Sequence, residues 1–142
     1  KTQLGTIQSN INGEPHLYFK NKGAFFYANW QKGEWNLIKV NDPEFNLGDA
    51  DISIEKKNQI KFLATTSTND TDEIAWWYTN DKGQSWIKET PMVTSKGGKY
   101  VMSSLIRNAH PDARVIVAEI PTTPNAVDSK MYLIGDNGPV KR

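Results

Sequence analysis

The chain has no cysteine in its 142 residues. That excludes disulfide bonds and thiolate zinc sites, and leaves the compartment open. Charge of one sign is missing as well. Lys and Arg number 17 against 16 Asp and Glu, for a net charge near +1. No block of like charge calls for nucleic acid, and no basic stretch calls for an anionic membrane. No apolar run approaches the roughly 20 residues of a membrane-spanning helix; the longest, such as "VIVA" at 115–118, are strand-sized. The opening "KTQLGTIQ" lacks a basic segment followed by an apolar one, so the expectation is a processed chain or part of a longer one. Helical periodicity is also lacking.

What the chain does contain is alternation with a period of two, bounded by Gly, Asn, Asp and Pro. In "DISIEKKNQIKFLATTS", Ile52 and Ile54 alternate with polar residues, "KKNQ" turns, and Ile60, Phe62 and Ala64 alternate again. "PHLYFK", "AFFYANW" and "EWNLIKV" are joined by "NKG" and "QKG". Further on, "YVMSSLIRN", "ARVIVAEI" and "KMYLIGD" are separated by "AHPD" and "PTTPNAVDS". Short strands at such spacing predict an all-β sandwich, barrel or propeller.

A repeat narrows the choice. Gly33, Gly83 and Gly138 lie in similar turns about 50 and 55 residues apart. Each interval holds about four strands, the length and content of a propeller blade. The expected blades are residues 1–41, 42–96 and 97–142, each a four-stranded antiparallel sheet.

The middle repeat carries "TNDKGQSW". Thr79, Asp81, Gly83, Ser85 and Trp86 at this spacing resemble the Asp box of bacterial neuraminidase (BNR) repeats. In that family the motif closes the hairpin between the third and fourth strands of a blade. The residue types suit such a hairpin, with a carboxylate for turn N–H groups, a glycine for positive φ and an indole to pack. Asp81 as a catalytic acid or calcium ligand is disfavoured, because a carboxylate saturated by turn donors is held ionised. The expected role is structural.

A broader resemblance rests on "GEPHLYFKNKGAFFYANW", "FNLGDADI", "EIAWWYTNDKGQSW" and "RNAHPDARVIVAEI" with "KMYLIGDNGPVKR". These are similar to the C-terminal part of BNR-repeat polysaccharide lyases of the ulvan-lyase type. The resemblance implies a seven-bladed propeller secreted by bacteria, with the remaining blades outside this stretch. It also implies β-elimination on a uronate-containing, sulfated algal polysaccharide without a redox cofactor. No set of metal ligands is singled out. The rival readings are a non-catalytic glycan-binding propeller and a sialidase-like glycoside hydrolase.

A uronate lyase needs a cation or donor for the carboxylate, a base and an acid. His16, His110, Tyr18, Tyr100, Arg107 and Arg114 are the ionisable candidates, and no catalytic residue is assigned. In a propeller the Asp-box turns lie away from substrate, which demotes His16 and His110 to structural roles. The opposite side offers Asp49, Asp51, Lys99 and Tyr100 for polysaccharide binding, with a solvated loop as the equal alternative for the two aspartates. Trp76 and Trp77 should face opposite sides of one strand, one in the core and the other either packed or stacking on a sugar.

Overall fold

The computed structural model describes residues 2–22, 24–40, 47–56, 59–68, 71–106, 110–122 and 129–140. Among these residues every regular element is a strand. The first sheet runs β1 (Thr2–Ser9), β2 (Pro15–Asn21), β3 (Ala24–Gln31) and β4 (Glu34–Val40), in that order and antiparallel. The second contains β5 (Leu47–Lys56), β6 (Gln59–Thr68), β7 (Thr71–Thr79) and β8 (Ile87–Lys88), with β9 (Val93–Lys96) pairing β7 as a fifth strand. The third runs β10 (Gly98–Leu105), β11 (Val115–Pro121), β12 (Lys130–Gly135) and β13 (Gly138–Pro139). Apart from β9, strands adjacent in sequence are adjacent in each sheet, because short turns leave an antiparallel hairpin as the nearest partner.

The turn residues explain the registers. Gln31 pairs with Glu34, leaving Lys32 and Gly33 as a two-residue loop. Both have positive φ, 52° and 85°. That is the conformation whose twist matches a right-twisted hairpin. β1 and β10, the first strands of their sheets, each carry a register shift, between Leu4 and Ile7 and between Val101 and Ser104. At the first of these, a Cβ on Gly5 would lie 2.3 Å from the Tyr18 carbonyl oxygen, so only glycine admits this approach.

The chain divides into two compact units, each with its own core. Unit 1 comprises Lys1–Phe45, Ile52–Phe62 and Trp77–Lys88. Its core is aromatic: Tyr18, stacked on Phe25, and Tyr27 from the first sheet meet Phe62, and Tyr27 and Phe62 both pack on Trp86. The Phe62 and Trp86 rings are closest, with centroids 4.5 Å apart. Unit 2 comprises Asn46–Asp51, Leu63–Trp76 and Glu89–Arg142. There Leu63, Ile74, Trp76, Tyr100, Val115, Val117 and Ile134 form one buried cluster.

Both tryptophans of the "WW" pair are buried, Trp76 in the unit 2 cluster and Trp77 in unit 1 with the Lys88 ammonium 5.8 Å from its ring centre. Neither is presented as a platform for a sugar. The pair sits in the middle of β7, where both sides of the strand are covered.

Two Lys-Gly turns of similar backbone provide a controlled test. Gly33 and Gly83 both have positive φ, but a Cβ on Gly33 would meet open space, whereas one on Gly83 would lie 2.8 Å from the Tyr27 ring. Gly33→Ala should cost about 1 kcal/mol of backbone strain. Gly83→Ala should cost at least about 1 kcal/mol more, the overpacking penalty. Urea unfolding of both variants checks this; equal losses would mean that Tyr27 yields freely.

Candidate functional site

Unit 1 encloses a cleft of about 510 Å³. The turn before β2 contributes Asn10, Asn12 and Glu14; β2 and β3 supply His16, Tyr27 and Asn29; and Gln31, Lys32, Ile60, Asn80 and Lys82 complete the lining. Its size lies within the usual 300–1,000 Å³ of small-ligand sites. The lining is mostly amide, charged and hydroxyl groups.

Strand register explains why the central residues converge. His16 lies directly opposite Asn29 across the β2–β3 ladder, and Tyr27 is two residues from Asn29 on the same face. All three are buried. The Tyr27 hydroxyl lies 2.7 Å from His16 Nδ1. Burial pushes the Tyr27 phenol above its ordinary range, while a hydrogen bond from Asn29 acts in the opposite sense. Burial also lowers the His16 imidazole from 6.5, against the opposing charge of Glu14.

These contacts favour one proton arrangement. With Asn29 donating to the Tyr27 oxygen, the buried Tyr27 O–H pairs with His16 Nδ1 as its acceptor. In this arrangement His16 carries its proton on Nε2. Among the described residues, His16 Nε2 and Asn29 Oδ1 are buried without a hydrogen-bond partner. Both atoms belong to side chains that line the cleft.

The cleft wall is the turn 79–86. Asp81 Oδ1 accepts from Thr79 Oγ1 at 2.7 Å and from Ser85 N at 2.9 Å, while Oδ2 accepts from the Ser85 hydroxyl. Thr79 Oγ1 in turn accepts from Gly83 N at 2.8 Å. The Ser85 hydroxyl, the Ser85 N–H and the Thr79 hydroxyl together hold the Asp81 carboxyl at about 2, below its ordinary 3.8. This knot presents Asn80 and Lys82 to the cleft, with Lys82 held at φ 61°. Trp86 packs against Phe62 and Tyr27 below it.

The other residues singled out by sequence lie elsewhere. The side chain of Asp49 falls outside the described residues, as does Arg107. Asp51 Oδ2 accepts from Leu105 N at 3.0 Å. Tyr100 is buried in the unit 2 core, edge-on to Tyr132, and burial together with Glu119, Tyr132 and Asp72 pushes its phenol up to about 12. Lys99 is exposed beside it. His110 is exposed, and its Nδ1 accepts from Asp112 N at 3.2 Å, a local turn contact. Arg114 pairs with Asp136 through two hydrogen bonds. Tyr27 and Asn29 are not singled out by the sequence alone. Their signal is "HLY" opposite "YAN", polar groups at the inward positions of two alternating strands.

Comparison with known proteins adds an independent line. No protein-family model matches the chain. It is 37% identical over 114 residues to an ulvan lyase of Nonlabens ulvanivorans, covering 80% of this chain and 23% of that protein. The proteins it matches are ulvan lyases. A second, from Alteromonas sp. (strain LOR), is 29% identical and is matched over 97% of this chain and 30% of its own length. A PL25 ulvan lyase structure bound to -[GlcA(1-4)Rha3S]- superposes with a TM-score of 0.83 at 24% identity, covering 99% of this chain and 34% of that one. That superposition establishes the fold. The chain therefore spans about a quarter to a third of the length of these relatives.

The Asp81 knot has a pH signature. Its carboxyl is depressed in the folded state, so the stability it adds is fully present above the ordinary value of 3.8 and is lost as pH falls through about 2. Asp81→Asn should melt below wild type at pH 6, and the difference should shrink steadily between about pH 4 and pH 2. Melting curves at four pH values check it; a gap independent of pH would dissociate stability from the ionised carboxylate.

Proposed function

We propose that this chain is part of a secreted polysaccharide lyase acting on a uronate-containing, sulfated glycan of the ulvan type. The observation that carries the reading is the 37% identity to an ulvan lyase over 80% of the chain. The shared fold supports it. A substrate of polymeric size also favours cleavage outside the cell.

In this reading the three sheets are blades, residues 1–41, 42–96 and 97–142, of a propeller of about seven. Two observations support further blades in the whole protein. The first sheet leaves Trp30, Trp35 and Leu37 exposed on one side, and the third leaves Ile116, Met131 and Leu133 exposed. Apolar faces of this kind are normally covered. Thr79, Asp81, Gly83, Ser85 and Trp86 act as a structural Asp box, a role supported by their mutual hydrogen bonds and by the packing of Trp86.

The chemistry is β-elimination. A base removes the proton α to the uronate carboxyl, the bond to the 4-linked oxygen breaks, and an acid protonates the leaving oxygen. His16 and Tyr27 do not suit the role of base. The Tyr27 phenol is held protonated by burial, and both ring nitrogens of His16 are committed, one to Tyr27 and one to a proton. We assign glycan contact to Lys99, which is exposed, and to Asp49 by its place on β5. Asp51 and Tyr100 serve mainly to hold β10, as supported by the Asp51–Leu105 bond and the burial of the Tyr100 ring.

Ulvan incubated with the full-length protein should give ultraviolet absorbance from unsaturated uronate ends in step with new reducing ends, with no redox cofactor added. Reducing ends without absorbance would indicate a hydrolase instead. Retention on an ulvan column with neither product would indicate a binding module.

A further inference from the structure

The cleft of unit 1 has features that the structural role of the turn 79–86 does not require. A hairpin closed by Asp81 needs neither a buried histidine nor a buried asparagine beneath it. Apolar side chains at positions 16, 27 and 29 together would fill the same space without leaving polar atoms unmatched. Burying an unpaired donor or acceptor carries a desolvation penalty, so two such atoms among the residues lining one cleft call for a ligand that pairs with both. The complementary group is a hydroxyl, which accepts from His16 Nε2–H and donates to Asn29 Oδ1. A saccharide offers hydroxyls on a body that fits a cleft of about 510 Å³.

The lining also indicates charge. Lys32 and Lys82 both line the cleft from turn positions of positive φ. Among the described residues Glu14 is the only acid in the lining, and its Oε2 already accepts from Asn10 Nδ2 at 2.7 Å. Two cations against one tethered carboxylate favour an anionic ligand.

We propose that this cleft binds one residue of an anionic saccharide, with a hydroxyl seated between His16 Nε2–H and Asn29 Oδ1 and a carboxylate or sulfate met by Lys32 and Lys82. The site is a binding site, because His16 in this tautomer donates a hydrogen bond and accepts no proton. The inference stands apart from the lyase reading, since binding here is measured without cleavage.

The test follows the His16 imidazole by nitrogen-15 NMR in the full-length protein while sodium glucuronate, glucose 6-sulfate or glucose is added. In the free protein the spectrum should show the Nε2–H tautomer. Glucuronate, glucose 6-sulfate or both should shift the Nε2–H resonance saturably, and glucose should bind at least about fivefold more weakly. The response to each anion distinguishes carboxylate from sulfate as the recognised group. Asn29→Leu should weaken binding about tenfold, the value of one hydrogen bond near its upper range. Should that variant fail to fold, Lys82→Met provides the second arm. Its side chain is exposed, so it should melt like wild type while losing the preference for the anionic sugars over glucose. An Nδ1–H tautomer, no saturable shift with either anion, or equal affinity for glucose would overturn the proposal. A floor satisfied by water alone would appear as the second of these outcomes.

Discussion

Unit 1 is organised around the ring of Tyr27, which has no solvent exposure. One edge approaches Gly83 so closely that no Cβ is accommodated there. The ring meets Phe62 and Trp86 edge-on, and its hydroxyl pairs with His16. The position of the 79–86 turn, the packing of the aromatic core and the tautomer of the histidine therefore share one side chain. A phenol suits this position because its apolar body fills the core while its oxygen reaches a polar floor. Phenylalanine would keep the packing but strand His16 Nδ1 and the Asn29 amide together.

The opposite arrangement governs the 79–86 turn. Its bonds are short-range: Thr79, Asp81, Gly83 and Ser85 satisfy one another within a few residues. Such bonds are readable from sequence, because spacing alone brings the groups together. The strands are readable for the same reason: period-two alternation and Lys-Gly turns specify hairpins locally. That Tyr27 packs under Gly83 is not readable, since nothing local joins β3 to a turn so much further along the chain. The cleft escapes a sequence reading for that reason. The alternation does place His16, Tyr18, Tyr27 and Asn29 on one face, but their convergence with Asn80 and Lys82 is a tertiary fact.

Unit 2 shows how the same residue types serve a core instead of a site. Tyr132 and Ser95 both donate to the Glu119 carboxylate. Burial alone would raise this carboxyl, but those two bonds, with the charge of Lys130, leave it lowered. A Cβ on Gly98 would lie 2.6 Å from Glu119 Oε1, so the chain approaches this acid through a glycine. Here both carboxylate oxygens have their partners, in contrast to the cleft floor of unit 1. Satisfied networks tie strands together; unsatisfied pairs invite a ligand.

Because each sheet is ordered largely as its strands occur in the chain, most pairing joins segments that leave the ribosome consecutively. A hairpin can close while the next is still being made, with only a short loop to restrict. The first sheet requires no later strand to complete its ladder. Its exposed tryptophans, however, remain uncovered during synthesis, and a nascent chain with such a face is prone to stick to other chains. Rapid local pairing and slow covering of the apolar side are thus two results of the same strand order, and the interval between them is when a chaperone would be most useful.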